Sequence, residues 1–213
     1  SGLTDYRPKL PLRVLSSDGV LLAEFGEERR RFMSITQIPK VMQDAVLAIE
    51  DARFYRHGGV DYLGVVRAGL AQFNKAKSQG ASTITMQVAR NFYLSTEKTF
   101  TRKIYEILLA LKIESQLSKE QILEVYMNQI YLGERSYGFA AASEIYFGKP
   151  LADVTIAEAA MLAGLPQAPS AYNPVSNPQR ATRRQQHIIQ RMLDNDFITP
   201  AQAAEAQKQV LTY

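Results

Sequence analysis

The stretch PKVMQDAVLAIEDARFYRHGG, residues 39–59, decides how this chain folds. Pro39 stands where a helix tolerates proline best, in the first turn, because the missing N–H has no intrahelical partner there. Val41, Ala45, Ile49 and Ala52 then recur at helical spacing, which predicts an amphipathic helix stopped by Gly58-Gly59. The apolar pattern runs straight into Glu50 and Asp51, with Phe54 and His57 close behind. A pair of adjacent carboxylates is ordinarily a solvated helix end. The rest of the chain decides whether this pair is ordinary.

Upstream, RVLSSDGVLLAEFG (13–26) places two short apolar runs around Asp18-Gly19, the signal of a β-hairpin. Downstream the chain reads as helix throughout. One helix is predicted over about 61–73, followed by the polar loop NKAKSQG (74–80). Ser82 is placed to cap a third that runs through about Tyr93, and a long fourth carries Phe100, Ile104, Leu108 and Leu111. Ser118 opens SKEQ, a capping box, on a helix expected to end near Gly133. Another helix falls within 137–147, stopped by Gly148 and Pro150. Thr155 with Glu158 forms a second capping box, and GLPQAPSAYNP (164–174) reads as a proline-rich loop. Asn177-Pro178 and Thr199-Pro200 each start a further helix. The expected architecture is all-α, eight or nine helices, with a small β piece at the N-terminus. The N-terminal segment is 1–38 and one helical domain spans 39–213.

The 213 residues are 46% hydrophobic and 22% charged, a balance that builds a folded core and excludes disorder. A net charge of +4 favours anionic partners such as phosphate groups and membrane surfaces. The absence of cysteine excludes disulfides and thiolate metal sites. No apolar run reaches the roughly 18 residues of a membrane span. An anchoring helix is therefore expected to precede this sequence, removed from it, rather than lie within it.

The candidate chemistry is concentrated in a few stretches. In GASTITMQ (80–87), small residues precede Ser82, Thr83 and Thr85, so a helix N-terminus emerges from a thin loop. Such an end can seat an anion, and simple capping explains Ser82 as well. The next segment holds Arg90, Lys98, Arg102 and Lys103 against Glu97 and Glu106. Arg102 and Lys103 precede Glu106 by four and three residues, on one side of a helix. They form either a surface ion pair of under about 1 kcal/mol or a cationic lining able to hold a diphosphate. Asn128 lies within the apolar stripe of KEQILEVYMNQIYLG (119–133). It must find partners there, first by fixing a neighbouring loop or helix end, second by touching a substrate. Arg180, Arg183, Arg184 and Arg191 make a basic helix that faces head groups, nucleic acid or water. His57 and His187 lack ligand spacing, and His57 is expected to hydrogen-bond the turn after the first helix. No phosphate-binding loop, dinucleotide fingerprint or Ser-His-Asp order is present.

Together these stretches resemble the ordered motif set of the family 51 glycosyltransferases. These are the peptidoglycan polymerases found as the transglycosylase domain of class A penicillin-binding proteins and as monofunctional enzymes. The first motif, E-D-x-x-F-x-x-H-x-G, matches Glu50, Asp51, Phe54, His57 and Gly59. The second matches Gly80, Ser82, Thr83, Ile84, Thr85 and Gln87, and the third, R-K-x-x-E, matches Arg102, Lys103 and Glu106. A fourth resembles Lys119, Ile122, Leu123, Tyr126, Asn128, Tyr131 and Gly133; a looser fifth resembles Arg184, Ile188 and Ile189. The resemblance covers the chain from about residue 40 onward. Met86 departs from the usual Gln, Arg90 from the usual Lys and Lys98 from the usual Arg. The charge survives at both basic positions, but bidentate phosphate geometry moves from one to the other.

The resemblance implies a lysozyme-like helical fold with a smaller, membrane-associated jaw region. It also implies a reaction: lipid II is polymerised into β-1,4-linked glycan with inversion and release of undecaprenyl diphosphate. On that reading Glu50 is the general base, Asp51 supports the site, and Ser82, Gln87 and Asn128 contact substrate. Arg90, Lys98, Arg102 and Lys103 receive the leaving diphosphate, and Glu106 is catalytic, either ordering those cations or helping to hold the phosphates. No cofactor is required, though a divalent cation (Mg or Mn) is an optional aid to the diphosphate. The implied partners are lipid II, the undecaprenyl-diphosphate-linked glycan chain, a phospholipid bilayer and moenomycin-type inhibitors, with no nucleic acid. The implied location is the outer, periplasmic face of the bacterial cytoplasmic membrane. One rival reading is a lysozyme or lytic transglycosylase that cleaves glycan. It needs a general acid and has no use for a cation cluster. The other rival is a basic helical module without catalysis, which is indifferent to Glu50.

Overall fold

A computed structural model describes residues 12–15, 21–25, 32–63, 66, 82–91 and 100–213. The two short strands, β1 (Leu12–Leu15) and β2 (Leu21–Phe25), pair in a two-stranded sheet. The intervening Asp18-Gly19 lies outside the described residues, as do Lys98, the loop 74–80 and most of the predicted 61–73 helix. Among the described residues the remaining elements are all helices. The chain divides into two compact units, one built from 1–11, 25–52 and 127–213, the other from 12–24 and 53–126.

In the first unit Pro39 is the N-cap of α1 (Lys40–Glu50), one residue before the first-turn position expected of it, and the helix ends well before the glycines. Asp51 leaves the helix with φ −165° and ψ 74°, and its N–H still bonds Leu47 O. Aspartate offers the backbone competing side-chain hydrogen bonds, so the carboxylate pair itself marks the helix end. The buried face also differs from the predicted one. Met42, Ala45, Val46, Leu47 and Ala48 are buried, whereas Ala52 is exposed beyond the helix.

The later helices of this unit are α5 (Phe139–Phe147), α6 (Ile156–Ala163), α7 (Pro178–Asp194) and α8 (Pro200–Lys208). Gly148, in the left-handed conformation at φ 63°, ends α5, as the sequence predicts. Thr155 and Glu158 form the expected capping box on α6, and Thr199 with Gln202 caps α8 in the same reciprocal way. α6 is alanine-rich and buried from Ala157 to Ala163, which allows close approach as α1, α6 and α7 pack on one another. Ile188, Ile189 and Met192 of α7 complete this core.

The second unit holds α2 (Ile84–Arg90) and α3 (Phe100–Gln116), packed together. α4 (Lys119–Gln129) begins in this unit, and its last residues belong to the first. The SKEQ box is present: Ser118 Oγ accepts from Gln121 N at 3.2 Å, and Gln121 Oε1 accepts from Ser118 N at 2.9 Å. α4 stops at Gln129, earlier than the expected Gly133. The chain then makes a tight turn in which Tyr131 bridges Tyr137 and Ser136 N donates to Gly133 O at 2.8 Å. Glu134 and Arg135 take positive φ within it, a strained choice for non-glycine residues.

The apolar stripe of α3 is a departure from what a core helix would show. Phe100 is 82% exposed and Leu108 60%, and Ile104, Tyr105 and Leu111 are exposed with them. The buried positions of α3 are Glu106, Ala110 and Ile113. The helix therefore buries a carboxylate and presents its large hydrophobic side chains to the surface.

Candidate active site

Ser82 was expected to cap α2; the cap is its neighbour. Thr83 takes extended backbone, its hydroxyl accepts from Met86 N at 3.1 Å, and the same hydroxyl donates to Gly59 O at 2.6 Å. Ser82 is thereby freed for other partners. Its Oγ accepts from Arg90 Nη2 and from Lys103 Nζ, each at 3.0 Å.

Those two cations converge on Glu106. Arg90 Nε donates to Glu106 Oε1 at 3.1 Å, Arg102 Nε lies 3.5 Å from the same oxygen, and Lys103 Nζ lies 3.7 Å from Oε2. Three cations share one carboxylate, so the site keeps a net positive charge. Glu106 is almost wholly buried, yet the side chains of Arg90 and Lys103 are 41% and 44% exposed. Burial lowers the pKa of Lys103; Glu106 opposes the shift and Arg90 adds to it. The predicted i,i+3 and i,i+4 pairs on α3 are thus real, and Arg90, from another helix, completes them. This is not the simple surface pair that spacing alone allowed.

The donor set does not suit a protein-held divalent ion. Such ions take several oxygen ligands, whereas Glu106 already shares its oxygens with three cations. Among the described residues no group of three or more His, Asp or Glu forms a ligand set.

Gln87 faces Tyr126, whose hydroxyl donates to Gln87 Oε1 at 3.5 Å. Glu50 is the last residue of α1, half-buried, and Asp51 is buried beside it. His57 behaves as expected: its Nδ1 accepts from Gly59 N at 3.0 Å, closing the turn. Asn128 is buried, with Oδ1 accepting from Met33 N at 2.7 Å and Nδ2 donating to Met33 O at 2.8 Å. That two-way bond straps the segment before α1, the first of the two roles its sequence position allowed. Arg184 lies over the Tyr172 ring at 5.2 Å.

Sequence reading passed over Glu114. Its Oε1 accepts from Thr85 Oγ1 and from Lys119 Nζ, both at 2.7 Å. Lys119 also sits 4.5 Å from the centre of the Phe54 ring. Gly59, at φ 104°, holds a backbone conformation that L side chains rarely adopt, and a Cβ there would be tight, 3.0 Å from Glu114 Cγ and 3.2 Å from Ala110 O. The spacing of Phe54 and Gly59 was visible, but Glu114, which lies against Gly59 and shares Lys119 with Phe54, carried no local signal.

Residues 18–193 match the transglycosylase family. Penicillin-binding protein 1A of Neisseria gonorrhoeae is 57% identical over 212 residues, covering 99% of this chain and 27% of that protein. A Cupriavidus necator protein, provisionally named a transglycosylase, is 63% identical over 163 residues, covering 76% of this chain and 71% of its own length. The crystal structure of penicillin-binding protein 1A from Haemophilus influenzae superposes with a TM-score of 0.54 at 28% identity, over 97% of this chain and 21% of that one. The chain thus spans about a quarter of the penicillin-binding proteins it matches. With the family matched over residues 18–193, most of its length, the chain belongs to the transglycosylase family.

Proposed function

We propose that this chain is a peptidoglycan glycosyltransferase that polymerises lipid II into β-1,4-linked glycan with inversion. The observation that carries the reading is the convergence of Arg90, Arg102 and Lys103 on buried Glu106, with two of the cations open to solvent. A diphosphate leaving group needs no proton, only positive charge held in place before it departs. Fixed cations on a buried carboxylate supply that. A glycan-cleaving enzyme, which protonates an alkoxide leaving group, gains nothing from them.

In the proposed step the acceptor 4-hydroxyl oxygen attacks C1 of the donor sugar. The C1–O bond to undecaprenyl diphosphate breaks, its electron pair leaves with the diphosphate, and the hydroxyl proton passes to Glu50. A sugar hydroxyl is a poor nucleophile at neutral pH, and a positioned base typically contributes about 10²- to 10⁴-fold. Glu50 is the last residue of α1 and half-buried, so its carboxylate is held at a helix end. Asp51 supports the site from the helix cap. Glu106 orders the cations; Ser82 joins Arg90 to Lys103 and, with Gln87, lines the donor side. Lys98 is assigned to the same cation set on its motif position alone.

The exposed hydrophobic face of α3, with exposed Tyr62, Leu63 and Val66 of the same unit, is proposed to meet the bilayer that carries the lipid-linked substrates. No helix among the described residues is long and apolar enough to cross a membrane. The proposed location is the outer face of the bacterial cytoplasmic membrane, and moenomycin-type donor mimics are the expected inhibitors. Incubation with labelled lipid II in detergent tests the reading. Long glycan chains support it; unreacted lipid II, or cleavage of preformed glycan, contradicts it.

A further inference from the structure

α2 is seven residues long, too short to hold a position by its own helical stability. It nevertheless carries Arg90 at one end and follows directly on Ser82 at the other, and both contribute to the cation cluster. Its place is set by anchors, and these lie on a different set of neighbours from the cations. Thr83 bonds Gly59 O, and buried Thr85 donates to Glu114 Oε1. Glu114 is held in turn by Lys119 at the start of α4, whose ammonium rests on the Phe54 ring. Gly59 closes tightly against Glu114 Cγ and Ala110 O, in a positive-φ conformation that favours glycine. Glu114 therefore stands where the Phe54–Gly59 turn, α2, α3 and α4 meet, with its side chain only 12% exposed.

We propose that Glu114, acting through Thr85, is a positioning residue that sets α2 and so places Ser82 and Arg90 for diphosphate binding. The proposal rests on the reading of the Glu106 cluster as a diphosphate site. Thr85 and Arg90 are separated by roughly 7.5 Å of helix rise, so a small rotation at the anchor displaces the guanidinium by a comparable fraction of an ångström or more. Misplacement on the order of 1 Å costs up to about 100-fold where geometry is the means of action. Thr85 touches none of the cations in the described contacts; its effect is transmitted through the helix.

Thr85→Val keeps the shape and removes the hydroxyl, and Thr85→Ser restores it. Inorganic diphosphate is the probe, its affinity measured by calorimetry at low salt on each protein, with thermal unfolding followed in parallel. Thr85→Val is expected to weaken diphosphate binding about tenfold and Thr85→Ser to bind within roughly twofold of the parent. In lipid II turnover the same Val variant is expected to raise KM more than it lowers kcat. Glu114→Gln, which keeps an acceptor for Thr85, is expected to fall between the two. Unchanged affinity in Thr85→Val overturns the proposal, as does failure of Thr85→Ser to restore binding. If the parent protein binds no diphosphate, the cluster reading falls and this proposal with it. If the parent binds diphosphate but does not polymerise lipid II, only the reaction assigned above fails.

Discussion

Arg90 Nε and Glu106 Oε1 lie 3.1 Å apart although sixteen residues separate them in sequence. The bond joins α2 to α3 and turns a pair of helix-surface contacts into a three-cation site. Glu106→Gln keeps the volume and removes the charge that gathers Arg90, Arg102 and Lys103. Stability is expected to fall by about 1–3 kcal/mol, below the figure for a fully buried pair because two partners are half-exposed. Urea denaturation reads the stability and calorimetry reads a simultaneous loss of diphosphate affinity.

Lys103 carries a different sign. Its folded pKa is lowered, chiefly by burial, so the folded state disfavours its charged form relative to the unfolded chain. Below the folded pKa that cost is fully present. It is relieved as pH rises through the folded pKa. Lys103→Met is therefore expected to leave the melting temperature unchanged or slightly raised while weakening diphosphate binding about tenfold, the cost of one charge-assisted contact. Parallel melting and binding curves check it.

Gly138 and Gly148 both take positive φ but differ in surroundings. A Cβ on Gly138 would lie 2.6 Å from Asn128 O, whereas Gly148 has nothing within 4 Å. Gly148→Ala is expected to cost about 1 kcal/mol, the backbone strain alone. Gly138→Ala is expected to cost about 3 kcal/mol or more, since backbone atoms cannot move aside cheaply. Chemical denaturation of the two variants separates strain from collision.

The α3 face gives a surface prediction. Phe100→Asp with Leu108→Asp removes two exposed side chains that contribute nothing to the core. Folding stability is expected to stay within about 0.5 kcal/mol, as for other surface substitutions. Binding to phospholipid vesicles is expected to fall at least roughly tenfold, because each large side chain contributes about 1.5–3 kcal/mol on leaving water. Vesicle co-sedimentation measures the effect.

The helices were legible because their punctuation is local. The Ser118, Thr155 and Thr199 caps and Gly148 each act within one turn and stand where the sequence placed them, and Pro39 is off by one residue, at the N-cap. Boundaries failed where two signals competed. Asp51 ended α1 before Gly58 was reached, and Thr83 took the cap assigned to Ser82 because its hydroxyl also had Gly59 O to bind. The stripe Phe100, Ile104, Leu108 and Leu111 has the period of a core face, and periodicity does not distinguish water from lipid or protein as the environment of that face. Within the site, Arg102, Lys103 and Glu106 were readable as neighbours on one helix. Arg90 joined them only through tertiary packing, and Glu114 gave no local sign because all of its partners but Lys119 are distant in sequence.

The central claim is a division of labour, in which Glu50 moves the proton and the Glu106 cluster receives the diphosphate. Glu50→Gln tests it most directly when labelled lipid II turnover and diphosphate affinity are measured on the same preparation. The account predicts diphosphate affinity equal to the parent's and polymerisation reduced by about 10²- to 10⁴-fold. Turnover within a few-fold of the parent would contradict it.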